Sequence, residues 1–230
     1  MKRFLTGFFN FLFPPMCAGC KKKLVHGETL VCTFCFGSFP ETDSHTLAEN
    51  PVTRRFIGKT TLVYGVALYS LKKKSLLEQV LFAMKYKNQP KIGELLGNYY
   101  GNILKNSPIA ENTDAIIPIP LHPKRLYERG YNQSDFFAQG LATVLELPLY
   151  LDCIKRVRNT PSQTRKNQAE RMLNVKDAFK VEQPGLIAQK HLLLVDDILT
   201  TGATLVACAQ TLLEQGASAV SVAAIAMVED

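Results

Sequence analysis

The stretch Leu192-Leu-Leu-Val-Asp-Asp-Ile-Leu-Thr-Thr-Gly-Ala-Thr204 runs from four apolar residues into two adjacent carboxylates and then into a small-residue loop that opens a helix. Each part constrains the fold. An apolar run without alternation, closed by a turn, reads as a strand buried on both faces, which belongs in a mostly parallel sheet flanked by helices. Open sheets of that kind bind ligands beyond the carboxyl ends of their strands, where Asp196 and Asp197 stand. Thr200, Thr201, Gly202, Ala203 and Thr204 then offer backbone N–H groups and hydroxyls at a helix N-terminus, an anion site suited to a phosphate monoester. A ribose 5-phosphate pairs these features, because its vicinal hydroxyls lie a short way from the phosphate and can donate to carboxylates. The competing explanation, a capped helix after a strand with surface acids, gives the two adjacent acids no purpose.

The rest of the chain repeats the strand and helix alternation. Periodicity predicts a strand over 61–70, a helix ending near Tyr86, and a glycine-interrupted helix over 92–104. A short buried strand over 114–120 is closed by prolines and followed by a loop rich in His122, Lys124, Arg125 and Arg129. Helices over 133–147 and 202–215 and a strand over 218–228 complete the pattern, and the basic stretch 156–173 reads as a surface loop or a partly helical one. With 230 residues, 47% of them hydrophobic and 20% charged, the chain is too apolar for disorder and too charged for a polytopic membrane protein. The length suits one domain with an appendage, divided as 1–50 and 51–230.

The appendage carries its own signal. Cys17-Ala-Gly-Cys20 and Cys32-Thr-Phe-Cys35 are two CxxC pairs separated by residues 21–31. Two such turns brought together give four thiolates around one ion, a closed tetrahedral site that contributes folding energy rather than chemistry, with Zn2+ the expected metal. The alternatives are core cysteines or a redox dithiol, but redox pairs occur singly. His26 would be a fifth ligand and reads as a turn residue. Cys208 falls on an apolar helix face and reads as core, and Cys153 has no partner nearby in sequence.

The excess of 27 Lys and Arg over 20 Asp and Glu favours anionic partners without choosing among them. Lys124, Arg125, Arg129, Lys155, Arg156, Arg158, Arg165, Lys166 and Arg171, with Tyr127 and Tyr131 interleaved, could hold a single strand by backbone neutralisation and stacking, or could be a solvated loop serving a diphosphate. The apolar run 4–13 after Lys2 and Arg3 is too short to span a bilayer. It is expected to be a helix packed on the protein, with a membrane-surface helix as the alternative, and the location is read as cytoplasmic. Gly58-Lys59-Thr60 lacks the upstream glycine of a nucleotide-triphosphate loop.

All thirteen positions of 192–204 match the signature of the type I phosphoribosyltransferases, which the chain therefore resembles. It is similar, over nearly its whole length, to the ComF family of competence proteins, which join a four-cysteine zinc ribbon to such a domain. The matching pieces are Phe13-Pro-Pro with the cysteines, Lys85-Tyr86-Lys87, Pro118-Ile-Pro-Leu-His-Pro123, Arg129-Gly-Tyr-Asn-Gln133 and Asn174-Val-Lys-Asp-Ala-Phe179. The resemblance implies that phosphoribosyl diphosphate binds with its 5-phosphate on 200–204 and its ribose on Asp196 and Asp197. Leu121, His122, Lys124 and Arg125 would hold the diphosphate together with Mg2+, and Arg165 and Lys166 would close over it. It also implies a role in natural transformation, handling incoming single-stranded DNA beside the DNA-uptake helicase machinery. Hypoxanthine-guanine enzymes carry a carboxylate where this chain has Thr200, which argues against purine salvage. Two readings stay open: an enzyme with an unidentified acceptor, and an uptake accessory that keeps the pocket as a sensor or docking site.

Overall fold

The computed structural model describes residues 14–158 and 178–229. Helices α1 (Thr33–Gly37) and α2 (Pro51–Arg54) precede strand β1 (Gly65–Leu71), followed by α3 (Leu76–Tyr86), α4 (Lys91–Leu104), α5 (Pro108–Glu111) and β2 (Ala115–Pro118). Then come α6 (Pro123–Arg129), α7 (Gln133–Leu145), the short strands β3 (Ile154–Arg156) and β4 (Phe179–Val181), α8 (Pro184–Ile187), β5 (His191–Leu199), α9 (Ala203–Glu214) and β6 (Ala219–Val228). Four strands form one parallel sheet in the order β1-β6-β5-β2, while β3 and β4 pair antiparallel beside it. No helix among the described residues is long and apolar enough to cross a membrane.

The sheet is buried on both faces, as the unbroken apolar runs require. Leu193, Val195, Ala223 and Ile225 pack with α3, α4 and α7 on one side. Leu192, Leu194, Val222 and Ala224 pack with α9, Phe56 and the β3–β4 ribbon on the other. Both edges are covered, which removes exposed ladder groups. Ser70 donates its N–H to Pro40 O and Thr42 donates to Leu68 O along β1, and Ile116 in β2 donates to Pro148 O. The stretch 41–50 thus lies against β1, and the buried Asn50 donates to the carbonyls of Ser44, Leu47 and Gly65.

Three expectations change. The first strand begins at Gly65 rather than at 61. The basic segment after β2 is the helix α6, capped by His122 Nδ1, which accepts from Lys124 N at 3.2 Å. Strand β5 continues through both acids to Leu199, because β6 supplies a partner as far as Leu199↔Met227. The apolar run 4–13 and Arg165, Lys166 and Arg171 lie outside the described residues.

The glycines expected to interrupt the helix over 92–104 instead make a contact. Gly93, Gly97 and Gly101 line one side of α4, and a Cβ at Gly97 would fall 2.3 Å from Phe137 O. On α7 a Cβ at Gly140 would fall 2.4 Å from Glu94 O, so the two backbones pack at a distance only glycine permits. Gly97→Ala should cost about 1–3 kcal/mol in urea unfolding through overpacking. Gly185→Ala, with nothing within 4 Å of the added carbon, should leave stability within about 0.5 kcal/mol.

Candidate functional site

The site forms where β5 outruns β2. Ile119 N donates to Val195 O at 2.8 Å, one residue past the end of β2. Beside this gap Asp196 Oδ1 accepts from Ser134 Oγ at 3.1 Å and from Asp197 N at 2.8 Å. Asp197, 5% exposed, meets Lys85 Nζ at 2.9 Å. Lys85 sits in the last turn of α3, and Ser134 in the first turn of α7. Asn132 caps α7 with its Oδ1 and donates its amide to Ile119 O at 3.0 Å, so one side chain fixes both the helix start and the loop leaving β2.

Burial, and next to it the charge of Asp197, pushes the Asp196 carboxyl from 3.8 up to about 7, against the opposing pull of Asp197 N–H, Lys85 and Ser134. Burial likewise raises Asp135 to about 6, with Asp152 adding to the shift. Arg156 lies close enough to feel Arg125 and Asp196, and burial followed by Arg125 lowers its hold on the proton. Its guanidinium stands 5.7 Å from the Phe179 ring.

The loop 200–204 leads from β5 into α9. Gly202 takes φ +77°, which favours glycine, and begins α9 with no side chain capping the helix. Thr200 is exposed, and Thr201, Ala203 and Thr204 are half-buried beside it. Ala203 N reaches Thr201 Oγ1 at a long 3.5 Å, and first-turn N–H groups with flanking hydroxyls are the donors that helix N-termini offer to anions.

The structure brings Asp196, Asp197, the loop 200–204 and the segment from Ile119 to His122 to one edge of the sheet. Leu121 and His122 are half-buried there, Lys124 is exposed and Arg125 half-buried on α6. Arg129 is already engaged: its guanidinium donates to Gln133 Oε1 and stands 5.1 Å from the Tyr86 ring. Tyr131, interleaved with the basic residues in sequence, donates to Met84 O at 2.5 Å and is half-buried, whereas Tyr127 is 91% exposed. Lys85, Ser134 and Asn132 also line this edge, and sequence reasoning gave them no place in the pocket, whereas Arg156 belongs to the basic cluster read from the sequence. For Lys85 the available signals were a cation closing an apolar helix and the Lys85-Tyr86-Lys87 match.

Cys17, Cys20, Cys32 and Cys35 have their Sγ atoms within 4.8 Å of one another and could hold a metal ion, with Cys20 and Cys32 Sγ 3.7 Å apart. Burial raises the Cys17 thiol, but N–H bonds led by that of Cys32 outweigh it and leave it at about 7. Burial raises Cys35. Cys153 and Cys208 are buried in the core.

A family model for the phosphoribosyl transferase domain matches residues 132–229. The DNA utilization protein YhgH of Escherichia coli K12 is 28% identical over 226 residues, covering 91% of this chain and 95% of that protein. The competence protein ComFC of Bacillus subtilis is 27% identical over 216 residues, 91% of this chain and 83% of that one. The competence protein F of Haemophilus influenzae is 39% identical over 93 residues, 40% of this chain and 41% of that one.

The raised Asp196 carboxyl gives a stability prediction. A folded-state value above the ordinary one means that the proton stabilises the fold fully below about pH 4, and that this contribution is lost as pH rises through about 7. Asp196→Asn keeps an acceptor for Ser134 and removes the ionisation cost. It should raise Tm at pH 8, by about 2–4 °C per kcal/mol released, and the gain should vanish near pH 4 in paired thermal melts.

Proposed function

We propose that this chain, a homologue of the competence proteins above that carries a phosphoribosyl transferase domain, binds phosphoribosyl diphosphate in the cytoplasm and acts on single-stranded DNA during uptake. The observation that carries the reading is the placement of two carboxylates and a small-residue helix start at one strand end, next to a shorter neighbour. The 5-phosphate takes the N–H groups and hydroxyls of 200–204. The ribose hydroxyls donate to Asp196 and Asp197. The diphosphate lies toward Leu121, His122, Lys124, Arg125 and Arg156, and Mg2+ bound with it would help to neutralise its adjacent phosphoryl charges. Ribose binding favours the ionised form of Asp196, so affinity falls as pH drops below about 7.

The four cysteines suit zinc. A tetrahedron with Zn–S near 2.3 Å has sulfur atoms about 3.8 Å apart, and Cys20 and Cys32 stand at 3.7 Å. No position is left for water, which makes the ion structural.

Titration calorimetry with phosphoribosyl diphosphate and Mg2+ tests the pocket. The wild type should bind, and Asp196→Asn combined with Asp197→Asn should lose about 1.5–3 kcal/mol for each charge-assisted bond removed. Absence of heat at saturating ligand, or unchanged affinity in the double variant, overturns the assignment.

The DNA role draws on a second observation. On the rim beside Lys85, Phe82 and Tyr86 are 51% and 61% exposed with ring centroids 5.0 Å apart, flanked by Lys87 at 6.0 Å from the Phe82 ring and by Arg129 over Tyr86. Exposed aromatics with adjacent cations are how proteins stack single-stranded bases without reading sequence. Tyr86→Ala should weaken oligothymidylate binding by about 1–3 kcal/mol while leaving its salt slope unchanged. Lys87→Gln should reduce that slope by about 1. An affinity indifferent to both changes rules this face out.

A further inference from the structure

We propose that Arg55 is a positioning residue that sets the phosphate-binding loop, an inference that rests on the phosphoribosyl diphosphate reading above. Its guanidinium reaches three backbone carbonyls at the carboxyl edge of the sheet. Nη1 donates to Thr200 O and stands 3.4 Å from Leu199 O, and Nη2 donates to Val228 O. Leu199 ends β5, Val228 ends β6 and Thr200 opens the loop, so one planar fork ties two neighbouring strand ends to the first peptide of the anion site.

The orientation of that peptide is what matters. In a trans peptide the carbonyl and the following N–H point in opposite directions, so holding Thr200 C=O toward Arg55 aims Thr201 N–H away from it. A loop that binds phosphate through its N–H groups gains only if they are fixed before the ligand arrives, because ordering them at binding costs affinity. Arg55 fixes the first of them.

Two other contacts from the same segment reach the same loop and helix. A Cβ on Gly202 would lie 3.4 Å from Phe56 Cζ, which places the Phe56 ring against the left-handed residue at the turn. Gln210 of α9 donates to Lys59 O at 2.7 Å. The segment is itself well held. Asn50 is 2% exposed and accepts from Val52 N and Thr53 N at 2.8 and 3.0 Å, while Lys59 Nζ donates to Arg55 O at 2.7 Å. Residues 50–60 therefore brace the loop from a side of the fold that contributes nothing to the ribose carboxylates, and Arg55 is the brace's charged end.

The test compares wild type, Arg55→Lys and Arg55→Met by two measurements. One is calorimetry with phosphoribosyl diphosphate and Mg2+; the other is amide hydrogen exchange of residues 200–205 in the ligand-free protein. Both variants should bind at least about tenfold more weakly and exchange faster in the loop, because an ammonium keeps the charge yet cannot span the Thr200 and Val228 carbonyls. Millimolar guanidinium chloride should restore part of the affinity of Arg55→Met, and sodium chloride at equal concentration should not. Full affinity and full loop protection in Arg55→Lys would show that charge alone suffices and would overturn the proposal. If Arg55→Met fails to fold, Arg55→Lys still decides between fork and charge. If the wild type binds no phosphoribosyl diphosphate, the pocket assignment fails, while loop exchange in the ligand-free variants still decides whether Arg55 holds the loop.

Discussion

The whole site depends on two parallel neighbours of unequal length. The ladder between β2 and β5 stops at Pro118↔Val195, whereas the ladder between β5 and β6 continues to Leu199↔Met227. The last bond from this side to β5 is given by Ile119 N, and β5 goes on beside β6 alone, so a crevice opens along one side of β5 only. Asp196 and Asp197 fall in the part of β5 that has lost this neighbour. Had β2 run four residues further, the carboxylates would sit within a continuous sheet with no room for a ligand.

Filling that crevice with acid is costly, and the surroundings offset the cost only in part. Asp197 is matched by Lys85, a buried pair whose loss on either side would strand the other charge. Asp196 is served by Ser134 Oγ and Asp197 N–H and still titrates near 7. A fold selected for stability alone would not place a carboxyl there, and unfavourable burial of a titratable group is the usual mark of a site kept for binding. Perturbed groups also occur away from such sites. His191, its pKa lowered first by burial, shares a hydrogen bond of 2.8 Å with Ser221 Oγ at the opposite end of β5.

Much of this was legible in the sequence wherever the physics is local. The apolar run at 192–195, the threonine-glycine turn and the paired CxxC spacing each express a constraint within a few residues, and the structure has all three. Helix α6 was hidden because three of its seven residues are basic and none is buried, leaving no apolar period to detect. The continuation of β5 through the acids was hidden because aspartate disfavours strands, and only pairing with β6 overrides that preference. Lys85 meets an acid more than a hundred positions away, and Arg55 meets carbonyls at Leu199, Thr200 and Val228. Partners so distant have no period or spacing, and no carbonyl appears in a sequence as a partner at all.

Helix α3 ties the cysteine unit to this chemistry. A Cβ on Gly19 would lie 3.3 Å from Val80 Cγ2 and 3.1 Å from Cys35 Sγ, so the first cysteine turn rests directly on α3. Cys17, Ala18, Leu24, Val31 and Cys35 share one buried cluster with Leu77, Val80, Leu81 and Met84 of that helix. The next residue is Lys85, whose ammonium meets Asp197, and after it Tyr86 turns outward to the rim. One helix thus has its apolar face seated on the cysteine turns and its last turn inside the crevice. A close-packed interior transmits displacement rather than absorbing it. The cysteine turns and the crevice are thus joined through this one helix by continuous packing.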